Sequence, residues 1–161
     1  VEHGADVNAR SSECPWFYWA TTRLMSEGRR EEELPRWVAP VLEMARATGV
    51  GEEGLSGLEL ALEECLVNVC RYAYPEGMGW VEVSCRVEPD RLVVLVEDEG
   101  IAFSITEAAG PDLTSEISDR KIGGLGIHLI RSLMDEVVCW REGNRNLLEL
   151  VLHLTAGGEG R

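Results

Sequence analysis

The chain has 161 residues, of which 45% are hydrophobic and 27% charged, a composition typical of a globular protein long enough to bury one core. Its formal net charge of −14 disfavours a nucleic-acid-binding surface, because neutralising phosphates requires a basic face. No apolar run approaches the roughly 20 residues that span a bilayer, and the N-terminus has no signal pattern, so we expect a cytoplasmic protein without membrane contacts.

The first third of the chain contains a polar segment, an aromatic segment and a helical stripe. Residues 1–15 are small and polar without a period, so we expect a poorly ordered tail there, as for residues 156–161 at the other end. The sequence "WFYWATTRLM" (16–25) is aromatic and β-branched, which predicts a strand. "EEELPRWVAPVLEMARATGV" (31–50) spaces apolar residues at helical intervals after an acidic first turn. The expected organisation is one domain over residues 16–155.

A second helix is predicted by "LSGLELALEECLVNVCRYAYPEG" (55–77), with Ser56 as its N-cap and Pro75 as its stop signal. At about 100° per residue, one side of this helix is continuously apolar and is the predicted core face. That face consists of Leu58, Leu62, Cys65, Leu66, Val69 and Ala73.

The same helix has a separate polar stripe. Asn68 and Arg71 fall within about 40° of the direction of Glu64 around the helix axis, and the three residues are bordered by apolar residues. A carboxylate and an amide four residues apart point toward a common position. From this helix alone, a surface hydrogen bond between Glu64 and Asn68 is the simpler alternative.

Two strands and an aperiodic segment follow. "WVEVSCRV" (80–87) alternates as a half-buried strand does, and "RLVVLVED" (91–98) is apolar on both sides, as expected for a central strand. The second strand leads into D-E-G, where Asp98 can accept a hydrogen bond from an exocyclic amine such as that of adenine, and Gly100 permits close approach. An ordinary turn aspartate is the alternative. Residues 104–122 lack a period and are predicted to form a lid or binding loop.

Glycines precede the next apolar-periodic segment, "GGLGIHLIRSLMDEV" (123–137). A glycine-rich turn that enters a helix exposes unpaired N–H groups at the positive end of the helix dipole and lets phosphate oxygens approach. Packing or flexibility explains most such runs when they occur alone.

The last two apolar segments, "VVCWRE" (137–142) and "LLELVLHL" (147–154), are joined by "GNRN" and predict a hairpin. Most neighbouring strands are thus joined by hairpin-length turns. The predicted fold class is α+β, a two-layer α/β sandwich with a mixed, mostly antiparallel sheet and helices on one face.

The order of the motifs is more specific than any one of them. An acidic–Asn helix, a strand ending in D-x-G, an aperiodic segment and a glycine-rich helix start resemble the histidine-kinase-like ATPase fold shared by gyrases, heat-shock chaperones, histidine kinases and mismatch-repair proteins. Within that group, "LELALEECLVNVCRYAYP", "VEDEGIAF" and "KIGGLGIHLIRSLMDEV" are most similar to the anti-sigma-factor serine/threonine kinases. The resemblance spans roughly residues 22–154.

The resemblance implies a role for each matching residue. Asn68 corresponds to the asparagine that holds a magnesium ion between the ATP phosphates, and Glu64 to the general base. Asp98 and Gly100 correspond to the adenine-binding pair. The other nucleotide-binding residues expected are Arg71, Lys121, Gly124, Leu125, Gly126 and Ile127.

The implied cofactors are ATP and magnesium, and the implied reaction is transfer of the γ-phosphoryl group to a serine or threonine of a partner protein. The implied partners are a sigma factor, an anti-anti-sigma antagonist and a second copy of the chain. The alternative is a non-catalytic nucleotide-binding module that sequesters a sigma factor or another regulator. A histidine-kinase fragment is disfavoured, because the predicted elements contain no separate phospho-accepting helical hairpin.

Overall fold

The computed structural model describes residues 6–7, 20–25, 34–75, 79–102 and 124–154. The described elements, in chain order, are β1 (Asp6–Val7), β2 (Ala20–Met25), α1 (Leu34–Ala47), α2 (Glu52–Asn68), a π-helical turn (Val69–Ala73), β3 (Trp80–Val87), β4 (Arg91–Asp98), α3 (Gly124–Leu133), β5 (Glu136–Glu142) and β6 (Arg145–His153).

The strands form a sheet in the order β1-β2-β3-β4-β6-β5, and each described neighbouring pair is antiparallel. Strands β3 and β4 form one hairpin, and β5 and β6 form another with a two-residue turn in which Gly143 has a φ of 60°. A left-handed conformation at this position favours glycine, which has no Cβ to clash.

The core lies between one face of the sheet and the helices. Alternate residues of the strands, including Val83 of β3, Val94 of β4 and Leu150 of β6, are each 1% exposed and pack against the helices. Leu58 and Leu62 of α2 are buried as predicted. This two-layer arrangement confirms the predicted fold class.

Helix α2 differs from its prediction at both ends. It begins at Glu52 after Gly51, five residues earlier than a Ser56 N-cap requires. The acidic residues Glu52 and Glu53 in its first turn interact favourably with the helix dipole, which explains the earlier start. After Asn68 the helix widens into the π-helical turn, so the regular spacing of about 100° per residue does not extend to the end of the segment.

Strands β3 and β4 have the predicted bounds, and β5 and β6 begin earlier than predicted. Other predicted segments are found with shorter bounds or lie partly outside the described residues. Strand β2 covers the second half of the predicted 16–25 strand. The acidic residues expected in the first turn of α1 precede Leu34 and lie outside the described residues, as do residues 104–122. Of the predicted tail at 1–15, the structure describes only β1, which pairs with β2. Within the described ranges, no helix has the length and apolar character needed to span a membrane.

Candidate functional site

One end of the site is formed by Asp98 at the end of β4. Its side chain is buried, and its Oδ1 accepts hydrogen bonds of 2.8 Å from the backbone N–H of Gly100 and from Nδ2 of Asn146. Burial raises the pKa of Asp98, and the two donors and the nearby charge of Arg141 oppose that rise. Within the part of the chain that the structure describes, both hydrogen bonds end on Oδ1, which leaves Oδ2 for a donor from outside.

Gly100 lies directly against the end of the π-helical turn. A Cβ atom added to Gly100 would lie 2.5 Å from the carbonyl oxygen of Ala73, so only glycine fits. The next residue, Ile101, donates its backbone N–H to the same carbonyl at 2.9 Å. The π-helical turn therefore fixes the D-x-G loop to the end of the helix that carries Glu64 and Asn68.

Tyr74 holds the same loop from the side of the sheet. Its hydroxyl accepts the backbone N–H of Glu99 at 2.8 Å and donates to the carbonyl of Trp80. Burial raises the pKa of Tyr74, which keeps the hydroxyl protonated and able to donate. This side chain thus ties the start of β3 to the residue after Asp98.

The other end of the site is the contact between α2 and α3, which run antiparallel. Near the start of α2, a Cβ on Gly57 would lie 3.6 Å from the carbonyl oxygen of Leu133 at the end of α3. Near the end of α2, the Cα of Gly126 faces two side chains. A Cβ there would collide with Oε2 of Glu64 and would lie 3.6 Å from Nδ2 of Asn68.

The structure therefore brings Glu64, Asn68 and Gly126 together, next to the first turn of α3. Gly100, whose N–H binds Asp98, meets the same helix one π-helical turn further along.

The other residues predicted to bind the nucleotide lie in different parts of the chain. Arg71 is exposed on the π-helical turn, where the regular α-helical stripe no longer applies. Ile127 is only 6% exposed and belongs to the buried hydrophobic residues. Gly124 and Leu125 form the start of α3, and Lys121 lies outside the described residues.

Two residues of the site were missed by the sequence analysis. Asn146 was placed in the turn "GNRN", but the turn contains only two residues, so Asn146 belongs to β6 and lies opposite Asp98. Arg141 is paired with Asn146 from β5. Glycine followed by asparagine between two strand patterns is a signal for a two-residue hairpin turn, and it would have given the correct register.

The residues of the site fit a magnesium–nucleotide complex. Amide and carboxylate oxygens are ligands that Mg²⁺ prefers, and Asn68 and Glu64 offer them beside Gly126. The absence of a side chain at Gly126 lets the Glu64 carboxylate lie against the first turn of α3, and a helix start of this kind favours anionic groups such as phosphate. The buried carboxylate of Asp98 suits an amino group of a base.

An antiparallel sheet with helices packed on one face is the architecture of one class of ATPase domains. The chain matches the family described as "Histidine kinase-like ATPase domain" over residues 29–152, and it belongs to that family. It therefore carries a kinase-type ATPase domain, and the nucleotide that this family membership implies is ATP. The family assignment made from the order of the motifs is confirmed.

Individual relatives agree with this assignment. The chain is 29% identical over 98 residues to the "Serine-protein kinase RsbW" of Bacillus cereus (strain AH187), a match that covers 58% of this chain and 61% of that protein. It is 36% identical over 98 residues to the protein of the same name from Halalkalibacterium halodurans, covering 58% and 60%. The chain thus spans about 60% of the length of these curated relatives.

Proposed function

We propose that this chain binds Mg-ATP and phosphorylates a serine or threonine of a partner protein. The observation that carries the proposal is the contact of Gly126 with Glu64 and Asn68. It brings a helix start, a carboxylate and an amide to one point, and these are the groups that phosphoryl transfer requires. The relatives named serine-protein kinases support the same reaction.

The two ends of the site determine how the nucleotide is oriented. The adenine lies at Asp98, whose Oδ2 accepts the exocyclic amine, and the phosphates lie at the start of α3 beside Asn68. The short connection between these ends supports this orientation, because Ala73, one π-helical turn after Asn68, contacts Gly100.

Phosphoryl transfer then follows from the residues at the phosphate end. The hydroxyl oxygen of the partner attacks the γ-phosphorus, the bond from that phosphorus to the β–γ bridging oxygen breaks, and ADP leaves. Glu64 accepts the hydroxyl proton as general base, and N–H groups at the start of α3 bind phosphate oxygens. Asn68 would hold the magnesium ion, which when bound neutralises negative charge on the phosphates.

The partners we propose are those of an anti-sigma kinase. The chain binds a sigma factor, and an anti-anti-sigma antagonist is both the competing partner and the substrate whose phosphorylation controls the exchange. The kinase acts as a homodimer in this proposal.

Two substitutions separate nucleotide binding from phosphoryl transfer. Asn68→Ala is expected to abolish the thermal stabilisation that Mg-ATP gives the wild-type chain, because the magnesium ligand is lost. Glu64→Gln is expected to keep that stabilisation but to lower phosphorylation of the partner by about 10²- to 10⁴-fold, the range for loss of a general base. Glu59→Gln removes an exposed carboxylate from the same helix and is the matched control with wild-type transfer.

The assay uses the tagged chain to capture its partner from an extract of the source cells, followed by addition of γ-labelled ATP. Label on a captured protein with the wild type, and none with Glu64→Gln, is the expected result. Equal labelling by both proteins would contradict Glu64 as the base. A wild type that binds ATP but labels no captured protein would indicate the sequestering module instead.

A further inference from the structure

A row of three polar residues crosses the sheet at the base end of the site. Arg141 of β5 is the cross-strand partner of Asn146 of β6, which is in turn the partner of Asp98 of β4. Side chains of directly opposed residues lie on the same face of an antiparallel sheet. Arg141 is exposed at the outer end of the row, whereas Asn146 and Asp98 are only 5% and 7% exposed.

Hydrogen bonds on both sides fix the orientation of the Asn146 amide. Nη1 of Arg141 donates to Oδ1 of Asn146 at 2.6 Å, and Nδ2 of Asn146 donates to Oδ1 of Asp98 at 2.8 Å. Nδ2 also donates to the carbonyl of Ile101 at 2.9 Å. A guanidinium group can only donate and a carbonyl can only accept, so these partners allow one orientation of the amide.

Arg141 acts on Asp98 through this amide. The hydrogen bond from a cation is stronger than one between neutral groups and polarises the amide that it reaches. The amide in turn occupies Oδ1 of Asp98, together with the N–H of Gly100. The remaining oxygen, Oδ2, is thereby held as an acceptor toward the site.

We propose that Arg141 is a positioning residue that sets base selectivity, so that the site accepts a purine with an amino group at position 6 and rejects one with an oxo group there. This inference rests on the proposed nucleotide site. A 6-amino group donates to Oδ2, whereas a 6-oxo group would place two acceptors against each other in a buried position, which is costly. Without Arg141, the amide and the carboxylate are held less firmly and the discrimination falls.

The test compares binding of ADP and inosine diphosphate, which differ at that position, to the full chain with magnesium present. In the wild type ADP binds more tightly than inosine diphosphate. In Arg141→Met, which keeps an apolar stem but removes the donors, the preference falls by about tenfold, as expected for loss of one charge-assisted hydrogen bond. Arg141→Lys restores part of the preference, because a single donor reaches Oδ1 of Asn146.

Arg145→Gln is the matched control. Arg145 is an exposed arginine on the same hairpin that contacts Glu97 and Glu99 rather than Asn146, so its replacement leaves the preference at the wild-type value. An unchanged preference in Arg141→Met, or equal weakening of both nucleotides, would overturn this inference alone. A wild type that binds neither diphosphate would overturn the proposed function and this inference with it.

Discussion

Replacement of Gly126 by alanine separates the stability of the fold from the function of the site. The added Cβ would collide with Oε2 of Glu64, while the Cδ of that residue and Nδ2 of Asn68 would lie 3.5 and 3.6 Å away. Only the end of one flexible side chain has to move, at a cost of about 0.5–1.5 kcal/mol for a strained rotamer. Alanine in place of glycine in a helix recovers up to about 1 kcal/mol. The free energy of unfolding without ligand should therefore change by less than about 1 kcal/mol.

The effect on nucleotide binding should be much larger. At a concentration of 100 times Kd, Mg-ATP stabilises the wild type by about 2.7 kcal/mol, or roughly 5 to 11 °C in Tm for a domain of this size. In Gly126→Ala the new methyl group and the displaced Glu64 carboxylate crowd the phosphates. We expect affinity to fall at least tenfold, so that at the same ATP concentration no more than about half of the stabilisation remains.

Thermal denaturation with and without Mg-ATP measures both quantities in one assay. Gly57→Ala is the control, because a Cβ there would make only an ordinary contact of 3.6 Å with the carbonyl of Leu133 and brings the same gain in helix propensity. It should keep the full ligand-induced shift. A wild-type shift in Gly126→Ala would refute the inferred position of the phosphates.

Three further predictions concern the base end of the site. Gly100→Ala should lower the free energy of unfolding by about 1–3 kcal/mol in urea denaturation, since its Cβ would lie 2.5 Å from the backbone of Ala73; wild-type stability would contradict this close contact. Because burial raises the pKa of Asp98 in the fold, its ionisation costs stability as the pH rises from about 4 through the folded pKa. The stability of Asp98→Asn relative to the wild type should therefore increase over that window and then level off; a relative stability that falls with pH in denaturant titrations would oppose this reasoning. Tyr74→Phe should cost about 1 kcal/mol, because the N–H of Glu99 loses its acceptor; an unchanged denaturation midpoint would show that water replaces the hydroxyl.

Local patterns in the sequence were sufficient to predict most of the helices and strands. The alternation of Val81, Val83 and Cys85 against polar residues predicted β3, and the structure buries those three side chains. The helical spacing of Leu58 and Leu62 predicted the core face of α2 in the same way. These patterns predict the elements because each depends only on the periodicity of a single element, about 2 residues for a strand and 3.6 residues per turn for a helix.

The order of three motifs also determined the family and the main candidates for the site. Glu64 and Asn68 are four residues apart on one regular helix, and their positions are set by that spacing alone. Their placement against Gly126 agrees with the pattern, although the two segments are more than 50 residues apart in the chain.

Only the tertiary structure decided the features that depend on contacts between two separate segments of the chain. The widening of α2 after Asn68 coincides with the packing of Gly100 against Ala73, and no periodic pattern in the local sequence predicts it. The assignment of Asn146 to β6 depends on the register between strands, because a shift of one residue would turn its side chain to the other face of the sheet. The sequence by itself thus determined the elements, the family and the pairing of Glu64 with Asn68 on one helix, whereas packing and strand register alone brought Arg141 and Asn146 to Asp98.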